Sequence, residues 1–239
     1  LITLVDMTEI RRALQQRDQA LHFISHDIRA PNASILTLLE MQRNSMEPLQ
    51  ADELLKRIEK YAQASLSMAE SFVRLASAQS NEYRVAPLDL ASVLQDAVDD
   101  AWTQASNQEV SVTILQIPHS APCVGDRPLL ARAMANVLNN AIKYSPARGT
   151  VRCSLYARGP NWIISVRDEG PGIDPPQQDR LFKPFSRLHD QTHPNISGVG
   201  LGLALVHTVV KRHGGSLEVE SAVGQGVEFR LVLPASASD

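Results

Sequence analysis

The chain has 239 residues, 44% of them apolar and 21% charged, and a net charge of −3 at pH 7. This is ordinary globular composition, with length for one large domain or two modest ones. It excludes the basic excess of a nucleic-acid surface, and no run reaches the roughly eighteen apolar residues of a membrane span. Asp6 and Glu9 interrupt the first apolar stretch, which argues against a signal peptide. Cys123 and Cys153 are too few for a disulfide framework and are expected as buried free thiols. The sequence opens on leucine, so a piece of a longer protein is expected, with any membrane anchor outside it.

In chain order, Asp6 or Thr8 can cap a first helix. Ile10, Leu14, Leu21, Ile24, Ile28, Ile35 and Leu38 recur at heptad-like steps and carry that helix past Pro31 to about residue 43. His26 lies about half a turn round from Ile24 and Ile28, facing solvent, with Asp27 directly after it. Residues 44–48 read as a turn, and a second helix follows on Leu54, Leu55, Ile58, Tyr61, Ala62, Leu66, Phe72, Val73 and Ala76. Such a hairpin buries one face of each helix, and a second copy covers the rest. A four-helix bundle formed by a homodimer is therefore expected.

The polar segment 80–84 divides the chain into a hairpin domain, 1–84, and a second domain, 85–239. There the pattern predicts helices over 90–105, 128–144, 177–181 and 201–213, and strands over 110–117, 150–156, 162–167, 216–222 and 226–233. Gly214-Gly215 reads as a helix C-cap, and turns fall at Gly159-Pro160 and Gly224. Strands and helices without a regular repeat suggest an α+β sandwich, helices on one face of a mixed sheet.

Three clusters in this half carry chemical demands. Asn136, Asn140 and Lys143 are four and three apart, one polar line on a helix whose other positions are apolar. Neutral amide oxygens can hold Mg²⁺ beside phosphate oxygens, and lysine adds charge for the phosphates. Asp168-Glu169-Gly170-Pro171-Gly172 follows a strand, placing a carboxylate that can accept from an exocyclic amine where backbone approaches closely. Gly198, Gly200 and Gly202 lead into a helix N-terminus, a source of free N–H groups for phosphate. Between the last two clusters runs Leu181-Phe182-Lys183-Pro184-Phe185 and a polar stretch to Ser197, which reads as a flap. His207 and His213 read as ordinary helix positions, the latter favourably placed at a C-terminus.

The segments SHDIRAP, NVLNNAIKYS, DEGPGI, LFKPF and GVGLGL, in this order, resemble the H, N, first glycine, F and second glycine boxes of sensor histidine kinases. The resemblance implies a dimerisation and phosphotransfer hairpin followed by an ATP-binding domain of the gyrase/chaperone-type ATPase class. It implies His26 as phosphoacceptor with Asp27 as acidic neighbour, Asn136 and Asn140 as Mg²⁺ ligands, Lys143 at the phosphates and Tyr144 beside the nucleotide. Asp168 matches the adenine-reading carboxylate, Gly170 and Gly172 the pocket, Phe182 and Phe185 the F box, and Gly198, Gly200 and Gly202 the phosphate-side glycines. The implied partners are a second copy and a response-regulator receiver domain, and the implied setting is the cytoplasmic portion of a bacterial sensor. Two departures stand out. Ala30 replaces a threonine or asparagine, which argues against phosphatase activity, and Val227 replaces a threonine or serine near the nucleotide. The competing readings are a gyrase-like or chaperone-like ATPase and a nucleotide-binding scaffold without phosphotransfer.

Overall fold

The structure is a computed structural model. It describes residues 28–45, 48–79, 83–178, 180–183, 186 and 200–236. His26, Asp27, Phe185 and Gly198 lie outside the described residues, as do His189 and His193 of the polar stretch. The chain divides into two compact units, Leu1–Val73 and Arg74–Asp239.

Among the described residues the helices of the first unit are α1 (Arg29–Asn44) and α2 (Ala51–Gln79), the latter running on into the second unit. Pro31 falls in the first turn of α1, where a missing N–H forfeits no intrahelical bond. The two helices run antiparallel. Asn32 Nδ2 donates to Ser65 Oγ across the pair at 3.3 Å. Gln42 braces the turn, donating to the Leu49 carbonyl at 2.9 Å and accepting the Leu49 N–H at 2.8 Å. Ile35, Leu38, Leu54, Ile58 and Tyr61 are half-buried, whereas Leu36, Met41, Leu55 and Leu66 remain 61–63% exposed. The apolar residues expected on α2 are thus split between an inner stripe and an open one.

The second unit begins with β1 (Ala86–Asp89), α3 (Leu90–Asn107), β2 (Ser111–Gln116), β3 (Pro122–Gly125) and α4 (Arg127–Tyr144). It continues with β4 (Thr150–Arg158), β5 (Asn161–Arg167), the single-turn α5 (Pro175–Gln178), α6 (Gly202–Arg212), β6 (Ser216–Ser221) and β7 (Val227–Pro234). The main sheet has the order β2-β4-β5-β7-β6, with β2 parallel to β4 and every other pairing antiparallel. This is the mixed sheet expected of an α+β sandwich. The short helix lies a little earlier than the expected 177–181, because Pro175 and Pro176 suit a first helical turn. No expectation covered β1, which pairs antiparallel with β3. Its four residues include Pro87, too few for an alternating pattern to register.

Alternation sets the sheet's inner face. Val151, Cys153 and Leu155 of β4 are fully buried, and Ile164 and Val166 stand opposite Leu155 and Cys153 on β5. Against them α4 presents Leu130, Met134, Val137, Leu138, Ala141 and Ile142, all 0–2% exposed, at three- and four-residue steps. Each large side chain so buried contributes about 1.5–3 kcal/mol. Both cysteines are free and buried, and burial pushes the Cys153 thiol up to about 12.

Two aspartates begin the flanking helices. Asp89 Oδ1 accepts the Ala91 N–H at the start of α3 and the Ala121 N–H before β3, each at 2.9 Å. Asp126 Oδ1 caps α4 by accepting the Leu129 N–H at 3.1 Å. The Asp126 cap fixes where α4 starts, and so where its polar line falls.

Candidate functional site

With one side of α4 committed to the sheet, its other side holds Asn136, Asn140, Lys143 and Tyr144, all half-buried. Asn136 Nδ2 donates to the Arg132 carbonyl at 3.0 Å, which orients the amide and leaves Oδ1 as an acceptor. Lys143 Nζ lies 5.4 Å from the centre of the Tyr144 ring. A Cβ built on Gly202 would stand 3.0 Å from Asn136 Oδ1, so glycine lets the first turn of α6 close onto that amide. Gly200, just before it, adopts a positive φ of 72°. At the other end of α6, His213 Nε2 accepts the Asp126 N–H at 3.0 Å. The two helices therefore run side by side in opposite directions, with Asn136 and Gly202 meeting at one end of the contact.

Beyond the C-terminus of α4, Asp168 sits at the end of β5 and is 3% exposed. Its Oδ1 accepts the Gly170 N–H at 2.8 Å and the Val227 N–H at 3.1 Å. Among the described residues no donor reaches its Oδ2. Burial raises the Asp168 pKa, the two backbone N–H groups opposing that shift. The turn that follows is packed tightly: a Cβ on Gly170 would stand 2.7 Å from the Tyr144 carbonyl oxygen. One on Gly172, whose φ is 71°, would run into the Ala222 carbonyl. The N-box helix and the carboxylate turn thus touch at Tyr144 and Gly170.

The arrangement can serve a flat, amine-bearing ring with a polyanionic tail. The ring end has a carboxylate oxygen that no described donor reaches; from there α4 offers a lysine and side-chain amides in turn, and α6 its opening N–H groups. Among the described residues no three His, Cys, Asp or Glu side chains converge as a metal cage. A divalent ion here would be held by amide oxygens together with phosphate oxygens from the ligand, which suits an Asn136 Oδ1 that takes no bond among the described residues.

Spacing did not reveal three supports. Ser221 Oγ accepts the Ile173 N–H at 2.9 Å and donates to the Gly226 carbonyl at 2.7 Å, tying the carboxylate turn to the late glycine turn. Gln178 Nε2 donates to the Ile173 and Ser221 carbonyls at 3.3 and 3.2 Å. Phe182 stacks on His207, ring centres 5.6 Å apart. Ser221, Gln178 and His207 are single residues with no pattern around them, so only the fold brings them to the site, whereas Phe182 belongs to the LFKPF segment already singled out.

His213 requires a correction. It is 8% exposed, and its Nδ1 lies 2.7 Å from the Val209 carbonyl oxygen while Nε2 accepts from Asp126. That pairing needs a neutral ring protonated on Nδ1, and burial lowers its pKa. It is not a cation favoured by the helix dipole. Tyr83 meets it edge-on at 5.1 Å, and Asp126 Oδ2 accepts the Arg84 N–H at 3.0 Å, so the chain entering the unit is held at this corner.

Residues 125–237 match the family described as Histidine kinase-, DNA gyrase B-, and HSP90-like ATPase. The adaptive-response sensory kinase SasA of Synechocystis sp. is 29% identical over 240 residues, which span 96% of this chain and 62% of SasA. The solved mycobacterial sensor histidine kinase MprB is 34% identical, with 98% of its chain and 64% of this one covered at a TM-score of 0.55. The chain belongs to the sensor histidine kinases. It spans 56–62% of the length of the curated family members it matches. Histidine kinase ThkA, solved in complex with the response regulator protein TrrA, shares the fold over 97% of this chain at a TM-score of 0.77 and 18% identity. Among the described residues no helix is long and apolar enough to cross a membrane.

Proposed function

We propose that this chain binds ATP·Mg²⁺ in its second unit, transfers the γ-phosphoryl group to His26, and passes it to an aspartate of a response-regulator receiver domain. The observation that carries the reading is Asp168, a buried carboxylate with Oδ1 pinned by two backbone N–H groups and Oδ2 left to accept from a ligand. An adenine 6-amino group fits that acceptor. Lys143, Asn136, Asn140, Gly200 and Gly202 then lie along the phosphates, with Tyr144 beside the ring. Gly198 and Asp27 join the site by their sequence motifs alone. Magnesium bound between the amides and the phosphates would neutralise charge on the transferring group.

In the transfer, the lone pair of one neutral His26 nitrogen forms the N–P bond as the bond from γ-phosphorus to the β–γ bridging oxygen breaks, releasing ADP. Asp27 accepts the proton-bearing nitrogen's hydrogen bond and stabilises the imidazolium as it forms. A free imidazole, with an ordinary pKa of about 6.5, is mostly neutral at pH 7 and has a lone pair to offer. In the second step a receiver carboxylate oxygen attacks the phosphorus, the N–P bond breaks, and the imidazole is regenerated. ThkA's complex with a response regulator supports this choice of partner. Ala30, exposed in the first turn of α1, offers no hydroxyl or amide to position water, so the hairpin favours kinase over phosphatase work.

We further propose that two hairpins pair as a four-helix bundle, because Leu36, Met41, Leu55 and Leu66 form an apolar surface with no cover in one chain. The test of the whole reading is labelling from γ-labelled ATP. Wild type should acquire an acid-labile label, and His26→Gln should acquire none while still binding nucleotide. A label that persists in the variant would sink the assignment.

A further inference from the structure

We propose that Arg132 grips the terminal phosphoryl group of the bound nucleotide, an inference that rests on the ATP reading above. Arg132 precedes Asn136 by one turn of α4, and its own carbonyl takes the Asn136 amide hydrogen bond. Arg132, Asn136, Asn140 and Lys143 therefore share one line on the helix, at steps of four, four and three. The base-reading end of the site is fixed at the opposite end of this line, where Gly170 lies against the Tyr144 carbonyl and Asp168 follows β5.

With a rise of about 1.5 Å per residue, Asn136 stands roughly 12 Å from Tyr144 along the axis and Arg132 roughly 6 Å farther. A nucleotide laid along α4 with its base at Asp168 directs its phosphates past Asn140 and Asn136 toward Arg132, so the last phosphate is the one nearest the arginine.

The state of the side chain points the same way. Arg132 is half-buried, its Nε is buried with no hydrogen-bond partner, and no described carboxylate pairs with it. A cation partly withdrawn from water needs an anion to offset its lost hydration, and a guanidinium fork matches phosphate oxygens two at a time. Gly202 opens the first turn of α6 directly against Asn136, so anion-seeking N–H groups lie one turn away.

The test compares a non-hydrolysable ATP analogue with ADP, both with Mg²⁺, by calorimetric titration of the full 239-residue chain. Arg132→Gln should weaken the triphosphate about tenfold, the loss of one charge-assisted contact, and change ADP less than about twofold. Arg132→Lys should recover part of the triphosphate affinity. Equal weakening of both nucleotides, or of neither, overturns the proposal. Wild type binding neither nucleotide overturns the ATP reading itself. If the glutamine variant does not melt cooperatively, the lysine variant carries the same comparison, and an unchanged ATP-to-ADP ratio there overturns the proposal.

Discussion

The two units spend their apolar residues in opposite ways. In the hairpin, Pro31 is the one buried residue of α1, and five large apolar side chains among the described residues stand more than 60% exposed. In the second unit, α4 alone buries seven apolar residues, and the strands it covers reach 0% exposure. The second unit closes its own core, whereas the hairpin has a half-buried inner stripe and an exposed outer one. A surface left open in this way suits the proposed pairing of hairpins, and a core closed in this way is a scaffold that can hold side chains to fractions of an ångström.

The largest expected effect comes from breaking the closed half. Gly172→Ala adds a Cβ against the Ala222 carbonyl at a positive φ, so backbone must move and the cost should be about 3 kcal/mol or more. Denaturant melts should show the second unit losing that stability together with ADP affinity. A melt unchanged within 1 kcal/mol, on the order of ordinary surface substitutions, would mean the turn is looser than described.

Next comes the open half. Leu66→Glu places a charge on the exposed stripe of α2 and should raise the dimer dissociation constant by about tenfold or more, at roughly 1.5–3 kcal/mol for one apolar anchor. Sedimentation equilibrium reads the change. ADP binding should be untouched, and a loss of it would contradict the separation of the two halves.

The smallest effect is a slope. His213 is held neutral, with a folded pKa below its unfolded value near 6.5. Between those two values the unfolded chain binds a proton that the folded chain does not, so the stabilising contribution is full above about 6.5 and is lost as pH falls toward the folded pKa. Wild-type stability should therefore decline below about pH 6.5, by at most about 1.4 kcal/mol per pH unit from this one group. His213→Gln should flatten that decline, and a variant with the wild-type slope would assign it to other groups.

How much was legible beforehand follows the same division. Periodicity found α3, α4 and α6 because each sets apolar residues at helical steps against one sheet, and the glycine clusters stood out because close approaches demand them at fixed places. Asp168 and Asn136 were visible for the same reason, although their orientation was not: the Val227 N–H that pins Asp168 comes from a strand far along the chain. Ser221, Gln178 and His213 were invisible as site supports, since a lone polar residue carries no period. The hairpin's inner stripe could not be separated from its outer one, because both use leucine, and only a partner helix decides which faces inward. The four residues of β1 were missed because a proline among so few positions erases alternation.

Gly125 leaves no space for a Cβ beside the His213 ring, which in turn takes the N–H of the very next residue. The two positions form a lock whose halves lie far apart in the unit's sequence. A larger residue at 125 requires a smaller one at 213, and that exchange removes the acceptor of the Asp126 N–H. Among relatives, a side chain at 125 should therefore come only with a smaller residue at 213.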